Sequence, residues 1–137
     1  MEITELRIGN LVLDEDGVPM YVGAIMPIGK IPYVKDSVGN NVAIDDLKPI
    51  EITRELLRKC GFLKWNDPNT NLHLEINDRG VDGFRLDFDY MKDGNFYLKS
   101  RYDEEKLMVQ RCNNIKYLHQ LQNLVQLLTG QELEVKL

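Results

Sequence analysis

The sequence predicts an α+β fold: a small SH3-like β-barrel lobe, then an antiparallel sheet covered by a C-terminal amphipathic helix. Three observations point there. Residues 6–52 break into short runs rich in β-branched residues, with a turn every five to ten residues, the pattern of a small barrel. Residues 62–111 then alternate apolar and polar with a period of two, as strands do in a sheet with one covered face. Finally, in Asn113–Gly130 the residues Tyr117, Leu118, Leu121, Leu124, Val125 and Leu128 fall within roughly 120° on a 3.6-residue period.

The barrel strands follow in order. Asn10–Leu13 ends at the turn Asp14–Gly17, and Val18–Ile25 ends at Pro27–Lys30. Ile31–Val34 leads into the turn Asp36–Asn40. Asn41–Ala43, a 3₁₀ turn at Ile44–Leu47 and Lys48–Ile52 complete the set. Pro32 and Pro49 belong at edges or strand ends, because proline cannot donate to a ladder. A lobe of 1–52 lies near the lower size limit for independent folding. It is expected to lean on the next helix and part of the sheet.

Residues 53–137 form the second lobe, packed with the first as one compact unit. Thr53 caps a two-turn helix, Arg54–Cys60, with Glu55 in its first turn and Gly61 after its end. Phe62–Trp65 is a short strand. Leu72, Leu74 and Ile76 face inward in the next, leaving His73, Glu75 and Asn77 outward. Phe84, Leu86, Phe88 and Tyr90 face inward opposite Phe96, Leu98 and Ser100, with Leu107 and Val109 inward on the last strand. Both apolar sets stay on one face only if Lys92-Asp93-Gly94 is a three-residue loop ending in a left-handed glycine. That register sets Asp87 opposite Lys99 as an exposed ion pair, Asp89 opposite Tyr97 and Arg85 opposite Arg101. The main helix covers 114–129, N-capped by Asn113 or Asn114 and followed by Gly130, and Glu132–Leu137 is a terminal strand.

Charge narrows the function classes. Residues 1–52 carry four Lys/Arg against nine Asp/Glu, while 53–137 carry thirteen of each. The whole net charge of −5 therefore lies in the first lobe. An acidic lobe repels phosphate backbones, which counts against nucleic acid as a partner. No stretch approaches a membrane span, and the N-terminus lacks a basic, apolar leader. Cys60 and Cys112 have no metal spacing and read as plain thiols, so a reducing, cytoplasmic setting is expected.

No catalytic residue, metal or cofactor is predicted. An acid–base or metal site can be drawn from His73, Glu75, Asp87 and Asp89. Alternation on a half-exposed sheet sends such residues outward regardless of use, and a mixed-sign solvated face is the leading reading. His73-Leu74-Glu75 has the H-x-E form of zinc deaminases without the P-C-x-x-C that supplies their thiolates. Glu134-Val135-Lys136 has the E-x-K form of some nucleases but no acidic partner at fixed spacing. Tyr21, Tyr33 and Trp65 are packing residues before they are a binding surface. The main helix is less ordinary, since Lys116 is its only charged residue between Asn113 and Gln131. Its polar side, His119, Gln120, Gln122, Asn123 and Gln126 with the outlying Leu127, is cheap to desolvate. It is the candidate protein-contact face, for a partner or most simply a second copy of the chain.

LRIGN at Leu6–Asn10, LKPI at Leu47–Ile50, CGF at Cys60–Phe62 and YLHQLQNLVQLLTGQEL at Tyr117–Leu133 together resemble an uncharacterised family of short bacterial and phage-associated proteins. The resemblance implies a setting in mobile elements or prophages and no catalytic residue. The leading expectation is a non-enzymatic protein-binding or adaptor protein. The alternatives are a nucleic-acid accessory factor using the barrel, or a small metal-dependent hydrolase or nuclease with its site on the outer sheet face. A metal site requires at least three ligands to converge on one ion.

Overall fold

Alternating strands and Asp-Gly turns build two separate four-stranded antiparallel sheets, and among the described residues there are two α-helices. The computed structural model describes residues 3–26, 32–64, 70–77, 84–102, 106–112 and 114–136. The chain divides into two units, Met1–Ile52 with Lys116–Leu128, and Thr53–Ile115 with Thr129–Leu137.

In the first unit β1 (Leu11–Leu13), β2 (Pro19–Met26), β3 (Tyr33–Asp36) and β4 (Asn41–Ala43) pair in that order. Aspartates start its two described hairpin turns. Asp14 Oδ1 accepts from the backbone N–H groups of Asp16 and Val18, each at 2.9 Å. Asp36 Oδ1 accepts from Val38 and Asn40, and the Asn40 backbone above all holds its carboxyl below the ordinary range. Leu6, Val12, Met20, Val22, Val34, Ile44 and Leu47 form the core of this unit.

The predicted SH3-like barrel does not form; the sheet stays open, with β1 and β4 as its ends. Closure needed Lys48–Ile52 to pair along β1, and only the single bridge Leu13↔Lys48 is made. The next hydrogen-bonded pair of that ladder would be Leu11 with Ile50, and Leu11 N–H goes to Gln122 Oε1 instead. The next residues pair elsewhere: Leu118 N–H donates to Ile50 C=O, Ile52 N–H donates to Lys116 C=O, and Glu51 bridges Tyr117.

That pairing also shortens the C-terminal helix, which runs as α2 over Leu118–Thr129 rather than 114–129. Asn114 does not cap it but takes a positive φ of 66°. The Gln120 side chain accepts from the N–H groups of Lys116 and Tyr117 instead, satisfying donors a cap would take. Through Lys116–Leu128 the helix belongs with residues 1–52. The sequence placed this helix in the second lobe, whereas its side chains bond to Leu11 and Glu5 of the first.

In the second unit Thr53 caps α1 (Arg54–Lys59) as predicted, its hydroxyl accepting from Leu56 N–H at 3.1 Å. The strands β5 (Thr70–Asn77), β6 (Phe84–Met91), β7 (Phe96–Tyr102) and β8 (Lys106–Cys112) form a meander in sequence order. The β6–β7 register follows the parity argument: Phe88 faces Leu98, Asp87 faces Lys99, Asp89 faces Tyr97 and Arg85 faces Arg101. Gly94 has φ +82°, and Met91 N–H donates to Asn95 C=O across a three-residue loop. On β8 the expectation fails by one residue, since Val109 pairs with Lys99 and is 55% exposed. Phe62 and Phe96 meet edge to face at 6.2 Å. The tail is not a strand in its described part, although Leu133 is buried and Lys136 N–H donates to Lys59 C=O.

Candidate metal centre

The outward face of the second sheet is not a solvated one in its middle. His73 and Asp87 are each 8% exposed and Asp89 only 2%. Backbone pairing explains how they come together. His73 exchanges both backbone hydrogen bonds with Leu63, at 2.7 and 2.8 Å. Both its N–H and C=O therefore point away from β6, which makes His73↔Asp89 a non-hydrogen-bonded pair, the closer of the two antiparallel geometries. Two residues on, Glu75↔Asp87 repeats it.

The side chains use this proximity. His73 Nδ1 lies 2.7 Å from Asp89 Oδ1. Its Nε2 points the other way, 3.8 Å from Asp87 Oδ1 and 3.9 Å from Glu75 Oε2. One donor atom from each of His73, Glu75 and Asp87 lies within 4.8 Å of the others. Lys99 does not pair with Asp87 as the register suggested; its Nζ sits 2.6 Å from Asp89 Oδ2. In a twisted sheet the diagonal neighbour lies within reach of a long side chain, and Asp89 is Lys99's diagonal. Glu75, with a side chain 39% exposed, is the solvent side of the cluster.

This donor set suits a cation. One imidazole and two carboxylates suit zinc-class divalent metals better than magnesium or calcium, which take oxygens alone. At bond lengths of about 2.1 Å, tetrahedral ligands stand about 3.4 Å apart. The Nε2–carboxylate gaps of 3.8 and 3.9 Å thus exceed that by about 0.4–0.5 Å, a difference that small rotations of Asp87 and Glu75 would close. The chemical signal was present in the sequence, as His73, Glu75, Asp87 and Asp89 share a face; their burial was not.

The candidate contact face on α2 is used differently. Gln122 Oε1 accepts from Leu11 N–H at 2.9 Å, and its Nε2 donates to Gly9 C=O at 3.4 Å. Asn123 Oδ1 accepts from Asn10 and Arg7, and its Nδ2 donates to Glu5 C=O. Gln120 caps the helix, and His119 is fully buried beside the Tyr117 ring. Burial lowers the His119 pKa from its ordinary 6.5, although Glu5, with Oε2 3.6 Å from Nε2, opposes this. The easy desolvation read from the composition is thus taken up within the first unit by His119, Gln122 and Asn123. Gln126 is half-buried, and Leu127, 78% exposed, remains outside.

Other candidates carry less. Glu134 and Lys136 line an open hollow of about 440 Å³ with Arg58, Lys59, Cys60 and Gly61, with no second carboxylate to share a metal. Burial pushes the Cys60 thiol up to about 11, which leaves it protonated and unreactive at neutral pH. Tyr21 is exposed and Tyr33 half-buried, on separate strands; Trp65 lies outside the described residues. No family model, curated protein or solved structure matches the chain, and no helix among the described residues is long and apolar enough to cross a membrane.

Proposed function

We propose that this protein binds one divalent transition-metal ion on the outer face of its second sheet, through His73 Nε2 and the carboxylates of Glu75 and Asp87. The observation that carries this is the convergence of those three donors, with His73 held from behind by Asp89. Three protein ligands leave at least one coordination position for water or a substrate oxygen, and the exposed Glu75 marks the side from which either arrives. Isothermal titration of the chelator-stripped protein with Zn²⁺, Mn²⁺ and Mg²⁺ separately tests it. One Zn²⁺ per chain is expected, with Mg²⁺ much weaker. A hundredfold excess over Kd should stabilise the fold by about 2.7 kcal/mol. Glu75→Gln, at the most exposed ligand, should weaken Zn²⁺ at least tenfold. No heat and no thermal shift at millimolar Zn²⁺, or equal affinity in Glu75→Gln, would refute the reading.

A second reading, a homodimer through α2, is favoured by Leu127 and Leu128, exposed together in its last turn. Leu127→Glu should then lower the sedimentation coefficient without changing the circular dichroism. A wild type that sediments as a monomer at high micromolar concentration rules this out.

A further inference from the structure

Asp89 and Lys99 lie beside the proposed ligands and are not among them. We infer that they are positioning residues that lock His73 into the Nδ1–H tautomer, and so set how tightly the site takes a metal. The inference rests on the metal reading for its consequence, though the tautomer can be measured without any metal.

The chain of reasoning is one of donors and acceptors. A lysine ammonium only donates, so Asp89 Oδ2, 2.6 Å from Lys99 Nζ, is committed as an acceptor. Asp89 Oδ1 is left for the imidazole at 2.7 Å. A carboxylate accepts and does not donate, so the hydrogen sits on His73 Nδ1. In a neutral ring the Nε2 lone pair then faces Asp87 and Glu75, the side where the ion would bind. Partners behind a metal-binding histidine typically change affinity by roughly 10- to 100-fold. Asp89, 2% exposed, is a buried carboxylate held from both sides, by Lys99 from β7 and His73 from β5, and has little freedom to turn away.

The same logic makes an unusual forecast for Asp89→Asn. The amide has one acceptor and one donor end. Lys99 requires the acceptor, so the NH₂ group must turn to His73 Nδ1. That nitrogen then has to accept, the ring hydrogen moves to Nε2, and the metal-facing lone pair is lost. Adding Lys99→Met to Asp89→Asn frees the amide to flip, returns its oxygen to Nδ1–H and restores the original tautomer. A residue that merely filled space would show no such rescue.

Long-range ¹⁵N–¹H correlation spectra of the metal-free protein at pH 8 read the tautomer directly. The chain has two histidines, and the His119 signals serve as the internal reference. Expected are a pyrrole-type Nδ1 and pyridine-type Nε2 for His73 in the wild type, exchange of the two in Asp89→Asn, and reversion in the double variant. Zn²⁺ titration should show a loss of roughly 10- to 100-fold in Asp89→Asn and recovery in the double variant. Any wild-type state other than Nδ1–H overturns the inference, and that measurement needs no variant to fold. Wild-type Zn²⁺ binding with unchanged affinity in Asp89→Asn overturns the positioning role and leaves the metal reading standing. A tautomer that behaves as expected in a protein that binds no Zn²⁺ overturns the metal reading alone.

Discussion

Replacing Gln122 with leucine should loosen the edge of the first sheet. β1 is an end strand, and its outward N–H groups need partners. Leu13 N–H finds Lys48 C=O at 2.9 Å, while Leu11 N–H finds Gln122 Oε1 at the same distance. Leu11 is 1% exposed and Gln122 2%, so no water is at hand to replace a lost acceptor. Gln122→Leu keeps the volume and leaves the Leu11 donor and one partner of Gly9 C=O unmatched. An orphaned buried donor costs about 1–3 kcal/mol. For a chain of this size that lowers Tm by roughly 3–15 °C. Native-state hydrogen exchange locates the effect, since the Leu11 amide should exchange roughly 5- to 150-fold faster. Val38→Ser, 81% exposed in a turn of the same unit, is the control and should stay within about 0.5 kcal/mol of wild type. If Gln122→Leu unfolds like the wild type and Leu11 stays protected, α2 does not satisfy the sheet edge and the first unit holds together by other means.

Burial and backbone geometry lead to two further outcomes. His119 has its pKa lowered in the folded state by burial, so below 6.5 the unfolded chain binds the extra proton first. Stability is then fully present above 6.5 and falls as pH drops toward the folded value; urea titrations from pH 7.5 to 5 should show that slope, and His119→Gln should flatten it. The two glycine substitutions should separate contact from conformation. A Cβ at Gly23 would lie 2.7 Å from Asp36 C=O, whereas at Gly94 nothing lies within 4 Å and only φ +82° resists. Gly94→Ala should cost about 1–2 kcal/mol from backbone strain, and Gly23→Ala about 1–3 kcal/mol from displaced packing. A thermal melt of either that overlays the wild type would refute its mechanism.

What the sequence made legible were features whose causes are local. Thr53 caps α1 because a hydroxyl before a helix start needs only its own neighbours. The β6–β7 register follows from parity plus one glycine. The barrel and the long helix were misread because their outcome depends on competition between distant segments. Residues 50–52 could extend the first sheet or meet Lys116–Leu118, and the first four residues of the expected helix could wind or pair. Ile50 C=O takes Leu118 N–H and Leu11 N–H takes Gln122 Oε1, so the pairing wins at both ends at once. Placement of α2 with residues 1–52 was equally hidden. Its amides read as a face open to others, although their partners Glu5, Arg7, Gly9, Asn10 and Leu11 lie over a hundred positions away.

The metal centre shows the same division more sharply. Alternation put His73, Glu75, Asp87 and Asp89 on one face, and the Lys92–Gly94 hairpin tied two of them to Lys99 and Tyr97. It could not say which of β5's residues faces which of β6's. Those strands are joined through residues 78–83, a connection long enough that no parity rule applies, and β5 carries an irregularity between Thr70 and Leu72 that shifts its register. A slip of two residues would keep every apolar side chain inward yet set His73 opposite Asp87 and Glu75 opposite Arg85, placing a cation where the second carboxylate now stands. A cluster of acids around one histidine therefore depends on a register that side-chain polarity alone does not select, since both registers satisfy the same hydrophobic pattern. The bridge from Leu63 to His73 turns both backbone groups of His73 away from β6, so the residue opposite it forms the close kind of pair, and in the observed register that residue is Asp89. Leu63, itself exposed, thus contributes to the site through its backbone rather than its side chain.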